Sequence, residues 1–578
     1  MDSISLQEVR ARFGEAVDDD VISECAKFCK MYNITVESLY YTWEALNLGR
    51  GSRSVPVIDK QGLSSLQRQL QNKAEQETKK RNAASNALNN SRSGMNMMRG
   101  VMRSGGNSDP FFGARIKQEP VADRLVGSSR VGGRAVPAAA KSAVSFSLDG
   151  PSSSDRKYRY MYEKVSERSE VLDDRIEDMA QLIKEHYDIA EFGDPSATTE
   201  EDVVVVGRIT LDGDSSSSGP VKLNEASLTL ETSRAMGSGV RVPFKFEANA
   251  KIRGGKRGAG GVGLFPGAIV ALRGNNGGGG WFTVSEVLSL PTPKYQIKRD
   301  EQTASSPFTV CVACGPFTTD SGLEYKPMKA LLAKLKEEKP DVVLLVGPFI
   351  DASHPHIKHG DIDAPPETMF RSIFVEQLQE YLDSKEGSLA IVVPNVRDIL
   401  SDHTVFPQAQ LNESLSNDPR IKYVPNPSRF RLNGVSFAVS SVDVLFHIRK
   451  EEFFKRAPPA EPEGDAADSN VVSDPMANTC RHLLEQRSYY PVFPVPQDLS
   501  SEINLDVTHS DYLNLCNEAA DGAPDVFVTP SRLKQFTKNV DGTTFVNPSY
   551  LTKGTYASLK FDPSSPSSVV HAEVSRLA

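Results

Sequence analysis

Residues 341–357 read DVVLLVGPFIDASHPHI and place an acid and two imidazoles directly after a strand-like run. The apolar run ends at Gly347-Pro348, and Asp351, His354 and His356 follow. Carboxylates and imidazoles at the end of a buried strand are typical ligands of metal centres that hydrolyse phosphoesters. Such chemistry uses two cations about 3.5–4 Å apart to position water and phosphate. The stretch is therefore a candidate for part of a two-metal hydrolase site.

The ends of the other predicted strands do not supply the remaining ligands of such a centre. Metal-dependent phosphoesterases carry Asp-x-His after the first strand, Gly-Asp-x-x-Asp after the second, Gly-Asn-His after the third, and single histidines later. The corresponding positions here are occupied by Ala313 and Gly315, by Pro348, by Asn395 and Val396, and late in the chain by Arg532. Proline has no side chain that can bind a metal. We predict a site without its metal ligands, no catalytic residues, and no requirement for a cofactor.

Two further groups of metal-binding residue types are weak candidates. His354, His356 and His359 crowd one predicted loop, but they make a poor cage without carboxylates on the neighbouring strand ends. Cys311 and Cys314 form a lone CxxC inside an apolar strand pattern. A structural zinc site needs four ligands, so we interpret these cysteines as buried strand residues.

The elements that would position these residues alternate between strands and helices after residue 307. Continuous apolar runs predict buried parallel strands, and amphipathic segments predict crossover helices. The strands are predicted at 308–317, 341–349, 388–395, 435–446 and 525–530, and the helices at 325–339 and 369–384.

Upstream, an amphipathic helix at 157–191 precedes five short strand-like segments. The apolar face of the helix is predicted to contain Met161, Val165, Leu172, Ile176, Met179, Leu182 and Ile183. The strand-like segments lie at 203–209, 226–232, 240–248, 266–274 and 281–288. Short strands separated by Gly/Ser-rich turns indicate a small barrel of the OB type.

A glycine-rich stretch within the barrel region, GAGGVG at 258–263, matches a dinucleotide-binding fingerprint only literally. That fingerprint needs a preceding strand and a following helix, and neither is predicted here. The basic residues around it are candidates for contact with nucleic-acid phosphates; the alternative is a solvated barrel loop. They are Lys251, Arg253, Lys256 and Arg257.

The N-terminal part of the chain differs in composition from the rest. Apolar residues recur at helical spacing within 1–78, which predicts a small helical docking domain. The stretch from 79 to 155 carries twelve Lys/Arg against five Asp/Glu and little periodicity, although the whole chain has a net charge of −9. It reads as a flexible basic linker containing one apolar island, DPFFGARIKQEP at 109–120, that could bind a partner. Its charge favours weak DNA contact or nuclear import, or simply keeps a tether soluble.

Composition argues against two classes of protein. The acidic balance is not that of a general nucleic-acid binder. No apolar run approaches the about 20 residues that span a bilayer, and the acidic start of the chain is unlike a signal peptide. We expect a soluble intracellular protein that does not associate with membranes.

Several stretches resemble the B subunits of eukaryotic replicative DNA polymerases, and most closely the branch that serves DNA polymerase alpha. The resemblance covers roughly 157 to 578, in the family's order. It is carried by RYMYEKVSERSEVLDDRIE (159–177), LLVGPFIDASH (344–354), VPNVRDILSDHTVFPQ (393–408), LNGVSFAVSSVDVLFHI (432–448), RHLLEQRSYYPVFP (481–494) and VNPSYLTKGTY (546–556).

This resemblance implies a multidomain α+β chain with a non-catalytic function. The expected parts are a helical docking domain (1–78), a flexible basic linker (79–156), a helix plus OB-fold domain (157–306) and an inactive calcineurin-like phosphoesterase domain (307–578). The implied partners are the C-terminal domain of the DNA polymerase alpha catalytic subunit and the primase subunits, with weak or indirect DNA contact, in the nucleus. A divergent metal-dependent phosphoesterase and a B subunit of another replicative polymerase remain the alternatives.

A former active-site face that has lost its ligands is free to become an interface. The candidate interface residues are Phe349, Asp351, His354, Arg397, Asp398, Arg487, Tyr489, Tyr490 and Phe493, most of them aromatic residues or arginines of the kind that anchor interfaces. The alternative is that Phe349 and the two tyrosines belong to the core and that Arg397 and Asp398 form an internal ion pair.

Overall fold

The computed structural model describes residues 6–14, 17–31, 35–48, 58, 63, 66, 143–149, 164–211, 222–237, 239–255, 259–293, 306–460, 474–516, 522–562 and 571–577. The chain divides into two compact units, residues 1–130 and 131–578. In the described part, no helix has both the length and the apolar character needed to cross a bilayer.

The first unit is helical where it is described. Its helices are α1 (Leu6–Phe13), α2 (Asp19–Met31) and α3 (Val36–Leu48). Asp19 and Asp20 lie in the first turn of α2, where acidic side chains are favoured by the helix dipole. One face of α2 is buried against α1 and α3 through Val9, Val21, Ile22, Cys25, Phe28, Cys29, Leu39 and Trp43. Apolar residues at helical spacing in α2 and α3 thus form most of this core.

The second unit begins with a strand inside the interval that the sequence predicts as linker. Strand β1 (Phe146–Asp149) pairs antiparallel with β12 (Ser428–Leu432), and Val144 is buried in the core. The linker prediction is thus wrong for residues 143–149, because the short alternating sequence VSFSLD adds an edge strand to a sheet formed much later in the chain. The rest of 79–156 and the FFGAR motif lie outside the described residues.

A closed five-stranded barrel follows, in the order β2-β3-β4-β7-β6. Side chains alternate between the barrel interior and its outer surface; in β4, for example, Val242 and Phe244 are buried while Arg241 and Lys245 are exposed. All five predicted segments are strands. The bounds are β2 (Thr199–Leu211), β3 (Leu228–Glu231), β4 (Arg241–Arg253), β6 (Ile269–Asn276) and β7 (Phe282–Leu288), with the short helix α5 (Arg234–Gly237) between β3 and β4.

Helix α4 (Val165–Tyr187) packs on the outside of this barrel. Ile176, Met179 and Ile183, spaced three and four residues apart, contact the β2 and β6 surface. The predicted apolar face is wrong at Val165, which is 88% exposed, because the buried stripe begins only where the helix reaches the barrel. Met161, also predicted on this face, lies outside the described residues. The helix ends at Tyr187 because Asp188 adopts a left-handed conformation with φ of 53°.

The remainder of the unit is built on two six-stranded sheets that pack face to face. The first has the order β1-β12-β13-β15-β17-β16, with β13, β15 and β17 parallel; the second has the order β11-β10-β9-β8-β18-β19, with β8 to β11 parallel and two antiparallel strands at one edge. The strand bounds not given above are β8 (Phe308–Cys314), β9 (Val342–Val346), β10 (Leu389–Val393), β11 (Ile421–Tyr423), β13 (Val435–Val439), β15 (Val526–Val528), β16 (Phe536–Val540), β17 (Thr543–Asn547), β18 (Thr555–Phe561) and β19 (His571–Arg576).

Helices cover the outer faces of both sheets. The second sheet is covered by α6 (Lys326–Glu338), α8 (Pro366–Phe370) and α9 (Glu376–Ser384). A π turn (Arg371–Val375) connects α8 directly to α9. The short helix α7 (Pro355–His359) lies at the strand ends. The first sheet is covered by α10 (Val444–Glu451) and α11 (Pro475–Glu485), and α12 (Ser500–Ile503) follows. The predicted strand 435–446 is therefore a strand only to Val439, since Asp443 caps α10 by accepting the Phe446 N–H.

Burial on both faces explains the continuous apolar run of β9. Val342, Leu344 and Val346 face the core between the sheets, whereas Val343 and Leu345 face the helical layer. A third core joins the outer face of the first sheet to the barrel interior. A two-stranded ribbon of β5 (Gly261–Leu264) and β14 (Phe453–Arg456) adds a hydrogen-bonded connection, so barrel and sandwich share one folded unit.

Candidate functional site

The strand ends that the sequence singled out meet around one buried carboxylate. Asp398 is fully buried, and its Oδ1 accepts the backbone N–H groups of Phe349 and, at 3.1 Å, Ile350. Its Oδ2 accepts the N–H of Asn395 at 2.8 Å. Gly347 lies against this carboxylate so closely that a Cβ would collide with it. Asp398 therefore ties the loop after β9 to the loop after β10.

Burial raises the pKa of Asp398 to about 7, against the opposing effect of its three backbone hydrogen bonds. A carboxyl group in this position faces inward onto N–H donors. Because Asp398 is fully buried, its carboxylate is not exposed to a metal ion in solvent.

Arg397 pairs with Asp351, and the alternative of an internal ion pair between Arg397 and Asp398 is wrong. One Arg397 amine lies 2.9 Å from Asp351 Oδ2. Asp351 also accepts the N–H and the hydroxyl of Ser353 at 2.9 and 2.6 Å. The reason is that the Asp398 carboxylate already lies inside the loop, where the Arg397 side chain does not reach.

Neutral hydrogen-bonding groups fill the space between the two sheets next to this carboxylate. Asn395 Nδ2 donates to the carbonyl and hydroxyl oxygens of Ser441 at 3.0 and 3.1 Å. Asn426 Nδ2 donates to the same hydroxyl at 2.8 Å, and Gln408 Nε2 donates to the Asn395 carbonyl at 3.1 Å. All four residues are buried. The network is largely satisfied by its own members, which is the condition under which buried polar groups rigidify a fold.

Arg532, which stands at the late strand end, is held between two carboxylates. Its Nε lies 3.2 Å from Asp443 Oδ2, and a terminal amine contacts Glu502. The guanidinium carbon lies 4.3 Å from the Phe446 ring centroid. Hydrogen bonds from His447 and Arg532 lower the pKa of Glu502 to about 2. A fixed cation thus occupies one of the strand-end positions at which the sequence was searched for a metal ligand.

The three loop histidines make local contacts. His354 is buried, hydrogen-bonds to the Thr319 carbonyl at 3.0 Å and caps α7 by accepting the His356 N–H at 3.3 Å. His356 pairs with Asp361 at 3.0 Å, and His359 bonds to a backbone carbonyl in its own helix. Across the described ranges, no three His, Cys, Asp or Glu side chains are grouped so that they could hold a metal ion.

Three aromatic residues predicted as interface candidates belong to the core. Phe349 stacks on Phe317 with centroids 5.3 Å apart. Tyr489 and Tyr490 are buried, and their hydroxyls bond to the Ser428 carbonyl and to His447. The candidate assignment is corrected because these rings fill space beneath the loops. Among the strand-end positions at which metal ligands are missing from the sequence, Ala313 and Val396 are buried, and Gly315 packs against the Pro348 backbone.

Phe493 and Arg487 are half-buried where the sandwich meets the barrel. At that junction the Gln486 side chain forms two hydrogen bonds with the backbone of Ile269 on β6, at 3.0 and 2.9 Å. Arg175 of α4 donates to the Gln486 carbonyl. The sequence analysis missed Gln486 and Arg175. Arg175 lies between Leu172 and Ile176 on the apolar face of the helix. A charged residue on that face was the signal that could have indicated a buried contact.

The basic residues near the glycine-rich stretch divide into two groups. Lys251 is exposed on β4, and Arg253 pairs with Glu286 at 3.1 Å. Lys256 and Arg257 lie outside the described residues. Residues 261–264 are strand β5 rather than the start of a helix, which confirms the rejection of a dinucleotide fingerprint.

Comparison with known proteins identifies the family. A family profile for the B subunit of DNA polymerases alpha and epsilon matches residues 310–538, and a profile for the OB domain of the DNA polymerase alpha B subunit matches residues 169–290. The DNA polymerase alpha B subunit of Schizosaccharomyces pombe is 30% identical over 583 residues, covering 94% of each chain. The chain belongs to the family of DNA polymerase alpha B subunits.

Other DNA polymerase alpha B subunits match a smaller region. The Mus musculus protein is 32% identical over 69% of this chain and 60% of its own length. The Saccharomyces cerevisiae protein is 28% identical over 69% of this chain and 59% of its own length. The resemblance inferred from the motifs is thereby confirmed, as is the OB type of the barrel.

Proposed function

We propose that this chain is a non-catalytic accessory subunit of a DNA polymerase alpha–primase assembly. It binds the C-terminal domain of the catalytic subunit, stands in one complex with the primase subunits in the nucleus, and supports primer synthesis at the initiation of replication. Its own contact with DNA is weak or indirect. The sandwich is an inactive relative of calcineurin-like phosphoesterases.

The observation that carries this proposal is that Asp398 joins the loops after β9 and β10 through hydrogen bonds to their backbone. A two-metal hydrolase needs carboxylates and imidazoles that converge on open positions. Here the one carboxylate at the centre accepts three backbone N–H groups. The guanidinium of Arg532 lies between two further acids, Asp443 and Glu502. These contacts support a structural use of residues that a hydrolase would use for metal binding.

The same edge of the sandwich offers an apolar anchor for a partner. Ile399 is 45% exposed, and its N–H bonds to the Ile350 carbonyl at 3.1 Å, which fixes it on the loop that Asp398 closes. Arg397 lies beside it with a third of its side chain exposed. An aliphatic residue next to an arginine on a rigid loop is suited to the centre of a protein interface.

Co-purification of the full chain with the C-terminal domain of a DNA polymerase alpha catalytic subunit tests the proposal. We expect a stoichiometric complex, with zinc found only in the partner and no phosphodiester hydrolysis. Ile399→Asp should weaken the complex at least about tenfold, since it places a charge in a desolvated contact. Val165→Asp, at an exposed site on α4, is the matched control and should not. Failure to form a complex, together with manganese-dependent hydrolysis by this chain alone, would favour a divergent phosphoesterase.

A further inference from the structure

A small cleft lies where α4, the barrel and the sandwich meet. Its volume is about 50 Å³, enough for a few water molecules or one side-chain carboxyl group. The rings of Tyr490 and Phe493 contribute to its wall. Most of the remaining lining is aliphatic and includes Val171, Leu172, Ile176, Val492, Leu505 and Val507.

Two arginines line this apolar cleft, and the first, Arg175, is held by neutral acceptors in the part of the chain that the structure describes. Its amines donate to the Gln486 carbonyl and, at 3.2 Å, to Asn514 Oδ1. Burial lowers the pKa of Arg175 to about 10, and the positive charge of Arg487 acts in the same direction. The negative charge of Asp178 acts in the opposite direction, so the charge on Arg175 is partly compensated.

The second arginine, Arg208 on β2, is 6% exposed. One amine lies 3.0 Å from Glu231, but the other oxygen of Glu231 is taken by Arg241 at 3.1 Å. The guanidinium carbon lies 5.2 Å from the Phe493 ring centroid. Among the described residues, the Arg208 Nε–H finds no hydrogen-bond acceptor. A buried donor left without an acceptor is rare in native proteins and calls for a partner such as a water molecule, an ion or a ligand.

We propose that this cleft binds the carboxylate of an acidic side chain, presented next to an apolar residue by a peptide segment of a protein partner. The carboxylate accepts from the Arg208 Nε–H and faces the Arg175 guanidinium, while the apolar neighbour packs on the aliphatic wall. Charge-assisted hydrogen bonds to arginine in such a dry site are strong and geometrically selective.

Size and polarity favour a peptide over a nucleic acid. The cleft itself has room for about one carboxyl group, and most of the residues that line it are apolar. A phosphodiester arrives with a hydrated sugar on each side and would need an open, polar groove. The proposal goes beyond the proposed function because it does not depend on which protein supplies the peptide.

The test observes the arginine Nε–H signals by NMR in the full chain carrying isotope-labelled arginine. The probes are N-acetyl-Leu-Glu-amide and its uncharged counterpart N-acetyl-Leu-Gln-amide. We expect the Leu-Glu probe to shift the Arg208 signal saturably and to bind at least about tenfold more tightly than Leu-Gln, as expected for charge-assisted contacts. Equal binding of the two probes would overturn the proposal. So would tighter binding of inorganic phosphate or of an oligothymidylate, which would assign the cleft to phosphate.

Two variants separate the cleft from general effects on the fold. Arg208→Met removes the donor, and Ser510→Phe fills the cleft while leaving both charges in place; each should abolish binding of the Leu-Glu probe. Arg371→Gln, an exposed arginine on the outer helical layer, is the matched control and should leave binding unchanged. Thermal unfolding of each variant establishes that it is folded. Retained binding in the folded Ser510→Phe variant would refute the assignment.

Discussion

Replacing Asp398 by alanine tests whether one carboxylate holds together the loops after β9 and β10. The substitution leaves three backbone N–H groups, those of Phe349, Ile350 and Asn395, without an acceptor. An unsatisfied buried donor costs about 1–3 kcal/mol. Three donors at the lower end of that range give a loss of about 3 kcal/mol in local stability, since water entering the small cavity restores part of the bonding.

Hydrogen exchange measured by mass spectrometry on the loops 347–352 and 394–399 reads this loss directly. A loss of about 3 kcal/mol corresponds to exchange that is faster by about two orders of magnitude. The measurement should be made at about pH 6, where the wild-type carboxyl is mostly protonated. At higher pH, ionisation of Asp398 would destabilise the wild type and so reduce its difference from the alanine variant. Asp402→Ala, an exposed acid on the same loop, is the control and should change stability by no more than about 0.5 kcal/mol. Unchanged exchange in the Asp398 variant would refute the reasoning.

Asp398→Asn separates the charge of this group from its shape. The folded-state pKa of about 7 lies above the ordinary value near 4, so the folded protein binds the proton more tightly than the unfolded chain. The stabilisation by this proton is fully present below about pH 4 and is lost as the pH rises through about 7. The wild type should therefore lose up to about 1.4 kcal/mol per pH unit in this window relative to the asparagine variant. Parallel stability curves would contradict the raised pKa.

Three further predictions concern the contact between barrel and sandwich. Gly267→Ala should destabilise the unit by at least about 2 kcal/mol in denaturant titrations, because φ is +97° and a Cβ would collide with the backbone of Phe493; wild-type stability would contradict this contact. Gln486→Leu leaves the N–H and C=O of Ile269 without the side-chain partners they have in the wild type. The free energy of unfolding should fall by about 2–4 kcal/mol, which lowers the thermal midpoint. An unchanged midpoint would mean that water replaces the amide. Burial disfavours the charge on His482, but hydrogen bonds to two glutamates raise its pKa from 6.5 to about 9; stability should fall across that pH interval, and His482→Gln should abolish the dependence.

The sequence predicts the architecture well where one physical signal dominates. The continuous apolar run of β9 required burial on both faces, and the structure places the neighbouring residues Val343 and Leu344 in two separate cores. The five short alternating segments formed the barrel because each has one apolar face. Strand β1 escaped prediction, since four residues carry too little periodicity and the partner strand β12 lies far away in the sequence.

The partners of the side chains at the strand ends were harder to predict from the sequence. The adjacency of Arg397 and Asp398 suggested an ion pair, but the tight turn directs the carboxylate inward and the guanidinium toward Asp351. Phe349 follows a glycine and a proline, which is typical of a loop, yet its ring completes the helical core. The direction of a loop side chain depends on tertiary contacts that no local pattern encodes.

The most direct test of the central claim is to measure manganese binding and phosphodiester hydrolysis by the purified full chain. The account predicts no saturable manganese binding and no hydrolysis above buffer, with identical results for wild type and an Asp443→Asn variant. Stoichiometric manganese binding with turnover that Asp443→Asn abolishes would contradict it, because it would show that the carboxylates at the strand ends serve a metal centre rather than a closed scaffold.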